Sequence, residues 1–278
     1  MAMREPPLVS IITPSLNQGR FIKETILSVK NQTYPNIEHI IVDGGSTDST
    51  IEILRKFENK YNMRWISERD NGQYDAVNKG FKIAKGEILG WLNADDIYLP
   101  KTIENIVHCF QRHEDIEIVY GDWRWMDEKG RVLPRKPRVR PFSLKWLKRD
   151  DFINPSVTFI RASIIREGFW LDSSIHYYGD WDWFLRMAEK GKKFYFLPQV
   201  IGYFRMHPSS KISRMSKKEI HKERLIISKK HRIPLYSIIL WRKLMGKLIP
   251  GCERFLFFIF TPVNWIFKNL KFVKSGGK

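Results

Sequence analysis

Cysteine is nearly missing from this chain. Cys109 and Cys252 stand isolated among 278 residues, which excludes a disulfide framework, and no Cys/His spacing suits a structural zinc ion. No G-x-G-x-x-G loop follows the first strand-like run, which continues as TPSLNQG; a dinucleotide-binding dehydrogenase is excluded on that ground. G-x-x-x-x-G-K-[ST] and G-x-S-x-G are absent as well, which removes P-loop NTPases and hydrolases built on a nucleophile elbow. No basic stretch leading into an apolar one opens the sequence, so no secretory leader is expected, and two isolated cysteines fit a reducing, cytoplasmic setting. Long apolar runs are also lacking. The longest block, FLFFIFTPVNWIF, has 13 residues and contains Pro262 and Asn264, against the ~20 that a membrane-spanning helix needs.

Acids are scarce in one region only. Of the net charge of +18, residues 211–278 supply +14, from 17 Lys/Arg against 3 Glu, which leaves +4 for residues 1–210. The body is nearly balanced and the charge belongs to an appendage. A second basic run, RVLPRKPRVRPFSLKWLKR, holds 8 cations and no acid; it reads either as a solvated loop or as a groove for an anionic acceptor. With 43% hydrophobic and 14% aromatic residues, the chain has the material for a sizeable core and is not disordered.

The periodicity alternates between strand and helix. LVSIITPS, IEHIIVD, MRWISE and GEILGW read as strands, and the segments between them place Phe21, Ile22, Ile26 and Val29, then Ile53, Phe57 and Tyr61, then Val77, Phe81 and Ala84 on helical faces. Gly86 suits the C-terminal cap of the third helix. This rhythm predicts a parallel sheet of right-handed βαβ units. Beyond Pro100 it loosens into a helix KTIENIVHCFQRH, a strand IEIVYGD with a hairpin-like WRWMDEKGRVL, the strands PSVTFIR and KFYFLPQVIGYFR, and a helix DWDWFLRMAEKG between them.

In GEILGWLNADDIYLP an apolar strand runs into the adjacent acids Asp95 and Asp96, at the carboxyl end of a strand, where open α/β sheets bind ligands. Two neighbouring carboxylates repel, and a hard divalent cation between them and a phosphate relieves that repulsion. The alternative is a helix N-cap followed by a solvated acid.

Four stretches in order, VSIITPSLNQGRFIKETILSVKNQTYPNIEHIIVDGGSTDST, GQYDAVNKGFKIAKGEILGWLNADD, GDWDWFLRMAEKG and YFRMHPSS, closely resemble the family 2 nucleotide-sugar glycosyltransferases of GT-A fold, as found in bacterial polysaccharide biosynthesis. The resemblance covers residues 8–212. It implies an α/β, Rossmann-like, mostly parallel sheet flanked by helices, with a catalytic domain over 1–212. Residues 8–97 would form the nucleotide-sugar half and 98–212 the acceptor half; 213–278 would be a basic, amphipathic, membrane-associating helical tail.

The resemblance also implies roles. Pro14, Ser15 and Asn17 would line the nucleotide-sugar pocket, and Asp43 would accept a hydrogen bond from a nucleobase imide, unless it only forms an Asx-turn into Gly44 and Gly45. Gly44 stands where many relatives carry a second acid, and Leu16 where many carry an aromatic. Tyr74, Asp75 and Asn78 would lie near the ribose and donor sugar; otherwise they are a core aromatic, a cap and a polar helix face. Asp95 would hold ribose or donor sugar, and Asp96 the metal, Mn²⁺ or Mg²⁺, with His207 reaching the metal or diphosphate. Arg205, Ser210 and Lys211 would add phosphate contacts. Asp180 would deprotonate the acceptor hydroxyl in an inverting displacement, with Asp182 as competitor and an N-cap as the alternative; Gly179 replaces the Glu usual before it. Of Trp123, Trp125, Trp170, Trp181 and Trp183, Trp181 is the candidate acceptor contact, although aromatics are first of all core material.

A basic nucleic-acid- or sugar-binding protein without catalysis is the rival reading. It predicts cations interleaved with aromatics on one face and a recognised binding motif; here the charge sits mainly in the tail, so no nucleic acid is expected as a partner. A glycosidase needs two opposed carboxylates, and Asp95 and Asp96 are adjacent. A nucleotidyltransferase calls for a Gly-rich first loop bearing Arg or Lys, which TPSLNQG is not. The expected activity is transfer from a nucleoside-diphosphate sugar, UDP foremost, to a glycan or lipid-linked acceptor. The place would be the inner face of the plasma membrane, where the tail meets anionic lipid.

Overall fold

The computed structural model describes residues 5–234. Contacts divide the chain into two units, Met1–Ser213 and Arg214–Lys278. The first is built on one eight-stranded sheet in the order β3-β2-β1-β4-β7-β6-β8-β5. Its strands are β1 (Val9–Ser15), β2 (Ile37–Asp43), β3 (Met63–Ser67), β4 (Ile88–Trp91), β5 (Ile97–Tyr98), β6 (Ile118–Met126), β7 (Thr158–Arg161) and β8 (Phe194–Arg205). Helices α1 (Ile22–Lys30), α2 (Thr50–Phe57), α3 (Gln73–Ile83), α4 (Thr102–Arg112), α5 (Leu144–Leu147), α6 (Ser163–Arg166), α7 (Gly179–Glu189) and α8 (Lys211–Arg214) connect and cover them. The sheet is mixed: four of its seven pairings are parallel, and β7 runs antiparallel to both β4 and β6.

The parallel half follows from the sequence. All seven residues of β1 are buried, as expected for a strand covered on both faces. In β2, Ile41 packs with Ile22 and Ile26 of α1 and Leu54 of α2, whereas Ile40 and Val42 meet Ala76 of α3. Successive side chains point to opposite faces, so one apolar run serves two helical layers. The order reverses between β1 and β4, which places a crevice at the carboxyl ends of β1, β2 and β4.

Some expectations shift. The short β5 lies within IYLP, where no strand was foreseen, and pairs with β8. Helix α3 ends at Ile83 with Ala84 at its cap, so Gly86 is not the cap. Its N–H donates to Ser10 Oγ at 2.8 Å, and a Cβ there would lie 2.5 Å from that oxygen and 2.7 Å from Ser10 N. Close approach to β1 explains this glycine.

Within the second unit, α9 (Lys217–Lys230) begins with a capping box in which Ser216 and Glu219 satisfy each other's backbone amides. No helix among the described residues is long and apolar enough to cross a membrane. The block Phe255–Phe267 lies outside the described residues.

Candidate active site

The acidic turn is the centre of the crevice. Beyond β4, the Asp96 amide donates to the Asn93 carbonyl, closing a β-turn with Asn at its favoured first position. Asn93 then acts as a hub. Its Oδ1 accepts from Trp91 Nε1 (2.8 Å) and Gln73 Nε2 (2.7 Å), while its Nδ2 donates to Asp96 Oδ2 (3.0 Å) and Ser156 Oγ (2.9 Å).

The two aspartates have different surroundings. Asp96 is 1% exposed; Oδ1 accepts from the Arg205 amide and Oδ2 from Ser156 Oγ and Asn93 Nδ2. Burial, and next the charge of Asp95, raise its pKa well above the carboxylate range. Asp95 keeps a partly exposed carboxylate, and its Oδ2 lies 2.9 Å from His207 Nε2. His207 is fixed by Ser209 Oγ at Nδ1 and by the ring of Phe21, 4.5 Å away.

The two acids therefore differ in their partners. Both oxygens of Asp96 already serve protein donors and brace the turn, whereas Asp95 keeps the more exposed carboxylate and is paired with the buried ring of His207. That pair fits a hard divalent ion: 2.9 Å is close to the ~3 Å edge of an octahedron with bonds of ~2.1 Å. Among the described residues no group of three or more His, Cys, Asp or Glu side chains forms a closed cage. Mg²⁺-type sites are commonly completed by substrate phosphate and water.

Arg205 is corrected. Its fully buried guanidinium donates to the Asp95 carbonyl (2.8 Å) and Glu24 Oε2 (2.6 Å) and lies 4.9 Å from the centre of the Phe21 ring. It clamps the acidic turn rather than meeting phosphate. Ser210 Oγ bonds Ser213 Oγ at 2.8 Å.

At the ends of β1 and β2, Ser15 and Asp43 are register partners. Pro14 is buried in β1, and the buried Ser15 hydroxyl has no partner among the described residues. Asn17 adopts φ 52°, a left-handed conformation that Asn tolerates. Its side chain accepts from the Thr47 amide, and its own amide donates to Ser46 Oγ. Asp43 has no exposed surface. Oδ2 accepts from the amides of Gly45 and Ser46 and from Ser67 Oγ, and Oδ1 accepts from Ser46 Oγ. Of the two readings the Asx-type turn is the one the hydrogen bonds show.

Helix α3 departs from expectation at two positions. Asn78 bonds the carbonyl and the amide of Leu171 through both ends of its side chain, clamping the segment before α7 instead of a sugar. Tyr74 is 4% exposed and packs edge-on to Trp91 at 5.8 Å, with Lys211 Nζ 4.6 Å from its ring centre, so its ring is not a free stacking face. Asp75, partly buried, accepts from the Asn71 amide at 3.0 Å.

On the acceptor side, Asp180 sits in the first turn of α7. Its Oδ1 accepts from the Trp181 amide (2.9 Å) and from the Tyr74 hydroxyl (3.4 Å). Burial pushes its pKa up to about 6, against the opposing pull of the Trp181 amide and the Lys211 charge. Asp182, two residues on, is fully buried and paired with Arg186 at 2.8 Å. Trp181 has no exposed surface and donates to the Leu147 carbonyl at 2.7 Å; it is a core residue and not an acceptor platform. Trp183 is buried too, and Trp170 is 39% exposed.

Asp95, Asp96, His207, Tyr74, Asp180 and Lys211 are thus linked by direct contacts running through Trp91, Gln73 and Asn93. Asn93, Gln73 and Ser156 escaped the sequence reading. The Asn before Ala-Asp-Asp was the only visible signal, because an amide at a strand end announces no partner.

Comparisons with known proteins bear on the family and the fold. Residues 10–172 match the family described as Glycosyl transferase family 2. An uncharacterized glycosyltransferase of Methanocaldococcus jannaschii is 26% identical over 285 residues, covering 98% of this chain and 95% of that protein. One of Rickettsia felis is 38% identical over 130 residues, 46% of this chain; the match spans about a fifth (21%) of that relative's length. Among solved structures, S. aureus TarS 1-349 in complex with UDP-GlcNAc superposes with a TM-score of 0.67 at 19% identity, over 80% of this chain and 65% of that one. The mannosyltransferase PcManGT of Pyrobaculum calidifontis, in complex with GDP-Man and Mn²⁺, gives 0.61 at 18% identity, over 84% and 72%. The fold shared with them is GT-A.

Proposed function

The chain belongs to glycosyltransferase family 2, and from that premise we propose that it transfers a sugar from a nucleoside-diphosphate sugar to a hydroxyl of a glycan or lipid-linked acceptor, with inversion at the anomeric carbon. The observation that carries this reading is the single contact network joining a carboxylate–imidazole pair, Asp95 and His207, to a carboxylate of raised pKa, Asp180.

In this reading the ends of β1 and β2, with Pro14, Ser15 and Asn17, wall the nucleotide pocket. Asp95 and His207 would hold Mn²⁺ or Mg²⁺, which would supply positive charge against the leaving diphosphate. Asp180 takes the proton of the acceptor hydroxyl. That oxygen bonds to the anomeric carbon as the bond from carbon to the diphosphate oxygen breaks, and the electron pair leaves with the diphosphate. One base and one displacement invert the centre. A base near pKa 6 suits work at neutral pH, because it is ionised yet still basic enough to share a proton. UDP is the favoured carrier, supported by the UDP-GlcNAc complex of TarS; the GDP-Man complex of PcManGT keeps GDP in the test. The basic tail is assigned to an anionic membrane surface, where the acceptor would be lipid-linked.

The test is a panel of nucleotide sugars assayed for slow hydrolysis with Mn²⁺ or EDTA. Metal-dependent release of UDP or GDP from one donor is expected. A protein that neither binds nor cleaves any member of the panel would overturn the reading.

A further inference from the structure

Helix α7 opens with two features that the proposed reaction leaves unexplained. One is a glycine, Gly179, directly before the proposed base. The other is a buried tyrosine from a different helix, Tyr74 of α3, against its first turn. The Gly179 amide donates to the Tyr74 hydroxyl at 3.0 Å, and that hydroxyl lies 3.4 Å from Asp180 Oδ1. A Cβ at position 179 would lie 2.7 Å from Tyr74 Cδ2 and closer still to Cε2. The tyrosine ring therefore fills the space that a side chain at 179 would need.

We propose that Tyr74 is a positioning residue for Asp180, its hydroxyl held by the Gly179 amide so that the phenolic proton points at the carboxylate. The argument is one of donors and acceptors. A phenol has one proton and two lone pairs. The Gly179 N–H takes a lone pair, and Oδ1 of Asp180 is an acceptor 3.4 Å away. Burial raises the Tyr74 pKa well above that of an ordinary tyrosine, so the phenol stays protonated and keeps a proton to donate towards Asp180. Trp91 at 5.8 Å edge-on and Lys211 Nζ 4.6 Å from the ring centre pin the ring. The hydroxyl and the Trp181 amide together orient the carboxylate and favour its ionised form. The charges facing this pair are Lys211, which favours the carboxylate, and Asp151, which acts on Tyr74. Trp91 in turn donates to Asn93, the hub of the acidic turn, so one ring spaces the proposed base from the proposed metal pair.

This inference rests on Asp180 being the base, and its test is separable from that reading. The protonated carboxyl band of Asp180 is followed by infrared spectroscopy against pH in the intact chain and assigned by its loss in Asp180→Asn. Tyr74→Phe keeps the ring and its burial and removes only the hydroxyl. The carboxyl midpoint is expected to rise by roughly half to one pH unit, the size of one long hydrogen bond to a charged acceptor. 3-Fluorotyrosine placed at position 74, a stronger donor of nearly the same size, is expected to lower it. The acid limb of donor turnover should move with the midpoint in both cases. A midpoint unchanged in Tyr74→Phe, with only a lower melting temperature, would make Tyr74 mere packing and overturn the proposal. A midpoint that moves while Asp180→Asn keeps full transfer activity would uphold the positioning and reject Asp180 as the base.

Discussion

Oδ2 of Asp95 lies 2.9 Å from Nε2 of His207, 112 residues further along the chain. The contact joins the turn after β4 to the loop after β8, two segments that Arg205 also ties together through the Asp95 carbonyl and the Asp96 carboxylate. An imidazole and a carboxylate at this distance form a hydrogen bond.

Substituting the two adjacent aspartates should give opposite phenotypes. Asp95→Asn is expected to leave the melting temperature nearly unchanged and to erase the strengthening of UDP binding by Mn²⁺. Asp96→Asn turns its amide towards groups that are already donors, an unsatisfied buried contact costing about 1–3 kcal/mol. Calorimetric titration of UDP with and without Mn²⁺, beside thermal melts, separates them. Metal-dependent binding that survives Asp95→Asn and vanishes in a fully folded Asp96→Asn would restore the order expected from the sequence.

Asp180→Asn should reduce transfer by ~10²–10⁴-fold with donor binding intact. Asp182→Asn strips the buried partner of Arg186 and should act on stability first. Transfer rates and melts of both variants decide it: a mild Asp180→Asn beside a folded, inactive Asp182→Asn would name the wrong aspartate.

The pKa of about 6 at Asp180 carries a sign for activity and one for stability. The base works ionised, so turnover should fall as pH drops through about 6. In the unfolded chain the carboxyl titrates near its ordinary value, so between that pH and about 6 the folded state binds more protons, and this group's contribution to stability falls as pH rises. At pH 7 the ionised, desolvated group then costs the fold up to roughly 3 kcal/mol. Asp180→Asn should accordingly melt higher than the wild type at pH 7, with the gap closing near pH 4. Parallel melting curves across that range would refute the assignment.

Arg205→Ala removes a fully buried side chain together with its bonds to Asp95 and Glu24. A loss of about 2–4 kcal/mol is expected, with weaker metal-dependent UDP binding because the acidic turn loses its clamp. Chemical denaturation measures the first effect and calorimetry the second. Wild-type stability in Arg205→Ala would show that the clamp is dispensable.

Truncation after residue 231 should release the protein from anionic liposomes, whereas high salt acting on the full chain should release only part of it. Cations near such a surface contribute about 1 kcal/mol each and are screened, while apolar burial is not. Flotation assays give the outcome, and a full-length chain that ignores the liposomes sinks the idea.

Where periodicity is local, the sequence was enough. The continuous apolar runs of β1 and β2, covered on both faces, announced parallel strands, and Asp95 and Asp96 after β4 marked the candidate site, because a strand's pattern and its end are properties of neighbouring residues. Partner choice is not local. Asp95 and Asp96 look equivalent in a row of letters; one meets His207 and the other Ser156, Asn93 and the Arg205 amide because β4, β7 and β8 bring those groups together. The same holds for Tyr74 and Gly179, 105 residues apart: a ring that reads as a stacking surface is buried because α3 and α7 pack too closely there for any side chain but hydrogen. Which carboxylate is desolvated, which donor reaches it and which indole is left in the core depend on long-range packing, and burial and hydrogen-bond saturation exist only once the sheet has assembled.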